Sequence, residues 1–216
     1  MSSKDTHVNF PGNGLNIEGI LNIPDGLSRV PAAIICHPHP RYGGDMHNNV
    51  VSTVANSLES KSIATLRFNF RGVGRSEGQY DDGVGESDDT LAALDFLSLF
   101  DEIDTSRIGI VGYSFGASVA LNVASQNDIL AAIASISCPS RAFGKMAVEE
   151  ILLPKLLICG EYDHDFPEDR FVFFAKRYTD PKEIAIIEDA DHFFAGQLEA
   201  LGETVADFFA RRLSTT

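Results

Sequence analysis

Apolar residues in this chain come in short unbroken runs, separated by polar, glycine-rich connections. Ala32–Cys36, Ile63–Phe70, Ile108–Val111 and the stretches 129–136, 155–159 and 183–188 have the length and Ile, Val and Ala content of strands buried on both faces. Between them the spacing changes. Asn48–Leu58 sets Val50, Val51, Val54, Ala55 and Leu58 on one helical face, and Ala117–Ala124 is small and apolar in the manner of a helix packed tightly on a sheet. Further helices are predicted from a Ser87 cap to about Leu99, with Asp88 and Asp89 complementing the dipole, and over 168–178 and 197–212. Ahead of all these, residues 6–10 and 15–23 alternate around Pro11-Gly-Asn-Gly14, which predicts an antiparallel hairpin.

Strands alternating with helices after a hairpin imply one α/β domain over residues 1–216: a mainly parallel sheet of about eight strands with helices on both faces. No repeat, low-complexity tract or linker interrupts it. In such sheets reactive groups collect at the C-terminal ends of the strands. His37–Arg41, Ser114, Asp163 and His192 each fall just past a predicted strand.

The most informative of these positions is Gly112-Tyr-Ser-Phe-Gly116, between the run ending at Val111 and the helix beginning near Ala117. G-x-S-x-G between strand and helix is the spelling of a nucleophile elbow. The sharp turn strains the serine, glycines two residues away on either side let backbone approach, and the helix N-terminus favours developing negative charge. A serine hydroxyl needs a base, and the base needs an orienting acid. His192, in Asp191-His-Phe-Phe194, is the candidate base, and Asp163, in Gly160-Glu-Tyr-Asp163, ranks first as the acid with Asp165 second. Asp189 and Asp191 stand too near His192 in sequence to reach the far side of its ring and read as solvated turn residues. The chain order Ser, Asp, His is that of α/β-hydrolases.

Those segments, with His37-Pro-His-Pro40, Tyr42-Gly-Gly44 and Arg67-Phe-Asn-Phe-Arg-Gly-Val-Gly-Arg-Ser-Glu-Gly78, make the chain resemble the α/β-hydrolase superfamily over nearly its whole length. More closely it resembles compact microbial serine hydrolases near the dienelactone-hydrolase branch. The resemblance implies an α/β-hydrolase fold with Ser114 as nucleophile, Asp163 as acid and His192 as base. Dienelactone hydrolases themselves carry cysteine at the elbow; Ser114 here argues against that particular substrate. Where larger relatives insert a lid, only the segment from about Pro139 to Pro154 lies between two core strands, so the pocket is expected to be open, with minimal or no lid.

Two main-chain donors are expected to form an oxyanion hole: the Phe115 N–H, next after the nucleophile, and the His39 N–H, flanked by Pro38 and Pro40, which have none. His39 also matches the oxyanion position of the resembling hydrolases, and Arg41 is the second choice. Substrate-binding candidates are Arg41, for a substrate carboxylate, and Phe143 and Phe193, with Met146, Phe166 and Phe194 as further wall candidates better suited to the core.

Rival chemistry is weaker. His37-x-His39 with Asp45 and His47 superficially matches ligand spacing, but the prolines and the missing downstream ligand set argue against zinc. Gly72-Val-Gly74 does not continue as G-x-G-x-x-G and shapes a tight loop instead. Arg71 and Arg75 are expected to pair with the acidic Asp81–Asp89 segment, while His164 is a surface residue and His7 belongs to the hairpin. No metal or cofactor is expected.

Composition narrows the setting. With 44% hydrophobic and 22% charged residues the chain is ordinary for a globular protein, and a net charge of −14 argues against nucleic-acid or anionic-membrane binding. Cys36, Cys138 and Cys159 are odd in number and end apolar runs, as reduced core thiols do, and the first residues lack an apolar segment. The expectation is therefore a cytoplasmic protein with no signal peptide, which an exposed sheet or helix face would allow to form a homodimer. Its expected function is hydrolysis of a small-molecule carboxylic ester or thioester through an acyl-enzyme on Ser114. The alternatives are a catalytically silent binding protein of the same fold, or a peptidase or acyltransferase using the same acyl-enzyme.

Overall fold

A computed structural model describes residues 5–143 and 151–214. Its elements follow the predicted order: β1 (Thr6–Gly12), β2 (Leu15–Asn22), β3 (Val30–Cys36), α1 (Asn49–Ser60), β4 (Ala64–Phe68), α2 (Val84–Leu97), β5 (Ile103–Tyr113), α3 (Phe115–Ala124), β6 (Leu130–Ile136), α4 (Ser140–Phe143), β7 (Lys155–Gly160), α5 (Glu168–Ala175), β8 (Lys182–Ile187) and α6 (Leu198–Arg212). They build one eight-stranded sheet in the order β1-β2-β4-β3-β5-β6-β7-β8. β1 and β2 form the hairpin, β2 joins β4 antiparallel, and every later pairing is parallel. This is the α/β-hydrolase architecture.

The continuous apolar runs are explained by the two faces they serve. Alternate residues of one strand enter opposite cores: Ile108 and Ile110 of β5 pack with Leu94 and Leu97 of α2 and Leu121 of α3, whereas Val111 and Tyr113 pack with Val54 of α1 and Leu201 and Phe208 of α6. Burial of side chains on both faces is what makes a parallel strand read as unbroken hydrophobicity. β5 extends to Ile103, well before the apolar run at Ile108, because its polar first half still pairs through Ile103 with Val30 of β3.

Some boundaries differ from expectation. α2 begins at Val84, not at a Ser87 cap: Gly83 is the N-cap, and the Glu86 carboxylate accepts from the Gly83 and Asp81 N–H groups. Ser87 lies inside the helix and donates to the Gly83 carbonyl instead. Asp89 does not complement a dipole at the surface. It is fully buried and paired with Arg71, whose Nη2 and main-chain N–H each lie 2.8 Å from its carboxylate. The expected pairing with the acidic segment thus holds for Arg71; the Arg75 main chain instead donates to Glu18. The helix expected over 168–178 ends at Ala175, and the connection after β6 carries a one-turn helix, α4, that the sequence does not signal. Among the described residues no helix is long and apolar enough to cross a membrane.

Candidate active site

The elbow follows β5 directly. Ser114 has φ 53° and ψ −117°, a region L-residues adopt only under constraint. Main-chain bonds hold it there: its N–H extends the β5–β6 ladder to the Ile136 carbonyl at 2.9 Å, and its carbonyl accepts from Ala117 and Ser118 of α3 at 2.9 and 3.4 Å. The flanking glycines are required by space. A Cβ on Gly112 would stand 2.2 Å from the Gly116 oxygen, and one on Gly116 would stand 2.3 Å from the Cys36 oxygen. Helix α3 can cross this close to β3 and β5 only without those side chains.

Ser114, His192 and Asp163 meet at the C-terminal rim of the sheet. Ser114 Oγ lies 3.2 Å from His192 Nε2, and His192 Nδ1 lies 3.0 Å from both Asp163 oxygens. An ionised carboxylate only accepts, so Nδ1 carries the proton and Nε2 is left to accept from the serine hydroxyl. Asp163 is buried and also receives the Asp165 N–H at 3.0 Å. Burial acts to raise its carboxyl, but the hydrogen bond and charge of His192 outweigh this and hold it below the usual value. For His192, burial acts to lower the imidazole; the hydrogen bond and charge of Asp163, then the charges of Asp165 and Asp191, reverse this and leave it above the usual value.

The rank order of the two acids has a geometric counterpart. Asp163 faces Nδ1, whereas Asp165 Oδ2 lies 3.8 Å from Nε2, on the serine side of the ring. Asp191 is more than a solvated turn residue, since its Oδ1 accepts from the Phe193 and Ala195 N–H groups and shapes the loop that carries His192. Asp189 is exposed.

The loop after β3 is locked by its two histidines. His37 is fully buried; its Nε2 accepts from the Phe70 N–H at 3.1 Å, so Nδ1 donates to the Pro38 carbonyl at 2.6 Å. Both ring nitrogens are committed to main chain, which accounts for His37 without a metal. Burial drives its imidazole down to about 4. His39 caps the short helical turn Pro40–Tyr42, its Nδ1 accepting from the Arg41 N–H at 3.2 Å. That bond occupies the Arg41 amide. Among the described residues, neither the His39 nor the Phe115 N–H donates to a turn, cap or side chain. The His39 ring sits among Tyr42, Tyr80 and Phe115 at centroid distances of 4.7, 5.0 and 4.8 Å.

The remaining sequence candidates divide. Arg41 is exposed, its guanidinium 5.7 Å from the centre of the Tyr80 ring. Phe193 is 69% exposed and stands edge-on to the His192 ring. Phe166 and Phe194 are core residues with no exposed surface. Phe143 ends α4, its side chain outside the described residues, as is all of Met146. His164 is exposed. Among the described residues no group of three His, Cys, Asp or Glu side chains is arranged to hold a metal ion. Two neighbours were not anticipated. Tyr80 lies in a loop without a motif, and the Tyr113 hydroxyl is directed at the His192 loop by strand geometry that no local pattern reports.

Comparison with known proteins bears on the family and the fold. Residues 78–210 match the model of the dienelactone hydrolase family, and the chain belongs to that family. An uncharacterized protein of Rickettsia prowazekii (strain Madrid E) is 32% identical over 186 residues, covering 82% of this chain and 78% of its own length. A Coxiella burnetii protein described as an α/β serine hydrolase homologue superposes with a TM-score of 0.84 at 34% identity, over 96% of this chain and 97% of its own. A Xanthomonas campestris protein described as an α/β serine hydrolase without a lid gives a TM-score of 0.86 at 28% identity, over 100% of this chain and 98% of its own.

Proposed function

We propose that the protein is a serine hydrolase that cleaves a small-molecule carboxylic ester or thioester through an acyl-enzyme on Ser114. The observation that carries this is the unbroken relay from Ser114 Oγ through the His192 ring to buried Asp163, at 3.2 and 3.0 Å, in a member of a hydrolase family. The similar proteins described as serine hydrolases support it.

His192 Nε2 takes the hydroxyl proton as Ser114 Oγ bonds to the acyl carbon, and the carbonyl electron pair moves onto oxygen. The Phe115 and His39 N–H groups are the oxyanion donors, and loss of one such donor costs about 3 kcal/mol of transition-state stabilisation. The tetrahedral intermediate collapses as the Nε2 proton passes to the departing oxygen or sulfur. Water, deprotonated by the same nitrogen, then attacks the acyl-enzyme and releases the acid and free Ser114. Asp163 keeps the ring in the required tautomer throughout. Arg41, next but one to His39, and Phe193, edge-on to the His192 ring, are the substrate contacts of this reading, with Phe143 assigned to the acyl wall on sequence grounds alone.

Labelling with a fluorophosphonate probe tests the reading. The folded wild type becomes modified at Ser114 and hydrolyses short-chain p-nitrophenyl esters or acyl thioesters, while Ser114→Ala does neither. A folded wild type that resists the probe and the whole substrate panel would favour the silent binding protein instead.

A further inference from the structure

If Ser114 is the nucleophile, the leaving group collects its proton from His192 Nε2 and must come to that face of the ring. This face already holds a charge. Asp165 Oδ2 lies 3.8 Å from Nε2, beyond hydrogen-bond length but within ion-pair range, and its side chain is 73% exposed. Main chain and side chain of Asp165 act separately. The N–H donates to Asp163 Oδ1 and belongs to the scaffold, which leaves the carboxylate free to act on whatever occupies the mouth of the site. Among the described residues no other cationic group lies within 4 Å of it.

We propose that Asp165 is a specificity-determining residue of this reaction: its carboxylate makes the leaving-group side favour esters and thioesters with neutral or cationic leaving groups and reject anionic ones. The proposal rests on the serine-hydrolase reading and deepens it. Of the two nearby carboxylates, Asp163 is engaged at Nδ1, and Asp191 uses Oδ1 to accept from Phe193 and Ala195 within the loop that carries His192. The groups facing the imidazole are therefore Asp163 and Asp165 from the loop after β7, Asp191 from its own loop, and Tyr113 and Ser114 from β5 and the elbow. Asp165 is the one that shares Nε2 with the reacting atoms. It also stabilises the imidazolium that forms during acyl transfer, a positioning role exerted through His192.

The test uses the full chain and three acetate esters of phenols of similar acidity, bearing a trimethylammonium, a neutral acetyl or a sulfonate group. In wild type at low salt, kcat/KM ranks cationic above neutral above anionic. In Asp165→Asn the ratio of cationic to anionic rates falls by about fivefold, the size of one exposed charge acting over a few ångströms in water. Asp165→Glu retains the ratio, and high salt compresses it in wild type by screening. The midpoint of the pH–rate profile moves down in Asp165→Asn, because one of the charges that hold the imidazole up is gone, with an unchanged melting temperature. A ratio near one in wild type, or one that Asp165→Asn leaves intact while the neutral ester is still hydrolysed, overturns the inference alone. If wild type neither hydrolyses the neutral ester nor takes the fluorophosphonate label, the serine-hydrolase reading falls and takes this inference with it. Should Asp165→Asn fold poorly, Asp165→Ser is read on the same ratio: a ratio that it leaves intact overturns the inference, and one that it lowers supports it.

Discussion

The Tyr113 hydroxyl donates to the main-chain carbonyl of His192 at 2.9 Å. Tyr113, immediately before Ser114, thus holds the loop that carries His192, independently of the contact between Ser114 and the His192 ring. Tyr113→Phe removes this one bond and keeps the ring in the core beside Phe194. Stability is expected to fall by about 1 kcal/mol and kcat by about fivefold, with KM little changed. Steady-state kinetics and urea unfolding of the variant check this; an unaltered kcat would show that the loop keeps its place without the bond.

Asp163 is expected to be the acid that sets the tautomer of the base. Asp163→Asn should lower kcat by on the order of 10⁴, because an amide donating to Nδ1 forces the proton onto Nε2 and blocks its role as acceptor. Asp191→Asn leaves the relay intact and should cost far less. Comparable losses in the two variants would remove Asp163 from the special role.

The imidazoles of His192 and His37 should titrate on opposite sides of the usual histidine value, near 6.5. His192 is held high, so kcat/KM should rise with pH through a midpoint above that value as the free base forms. Its contribution to stability has the matching sign: present in full below about pH 6.5 and lost as pH rises through the higher folded value. His37 is held down to about 4. The unfolded chain protonates that ring first, so its contribution to stability falls by about 3 kcal/mol as pH drops from 6.5 to about 4. Imidazole NMR shifts separate the two, and a His37 signal titrating near pH 6.5 would contradict its buried, doubly bonded environment.

The pair formed by Arg71 and Asp89 should matter to the fold more than a surface ion pair. Asp89 is fully buried and Arg71 nearly so, and the pair fastens the loop after β4 to α2. Asp89→Asn leaves the guanidinium without its counter-charge and should destabilise the protein by about 3 kcal/mol. A loss below about 0.5 kcal/mol in chemical unfolding would place the pair with exposed ones.

Periodicity alone carried the fold a long way. Each β5-type run announced a strand because an element buried on both faces has no polar side to alternate with. The elbow was legible because its constraints are local: Gly112, Ser114 and Gly116 answer to the shape of a single turn. The order Ser114, Asp163, His192 at strand ends was legible for a related reason, since a parallel sheet brings all such ends to one rim.

What distant elements do to one another lay outside that reach. Ser87 and Gly83 are both plausible helix starts by residue type, and the Glu86 carboxylate that caps the true one is recognised only once the helix is laid down. Asp88 and Asp89 are neighbours with the same chemistry, yet helical rotation sends Asp89 inward to Arg71 while Asp88 remains outside at Asn13. The same holds for Asp163 and Asp165. Two residues apart in one loop, they are alike in sequence; only the placement of β7 beside β8 decides which carboxylate meets Nδ1 and which meets Nε2. Residue pattern determined which groups reach the rim, and tertiary packing decided which atom of each faces which, because hydrogen-bond partnership depends on directions in space that spacing along a chain does not encode.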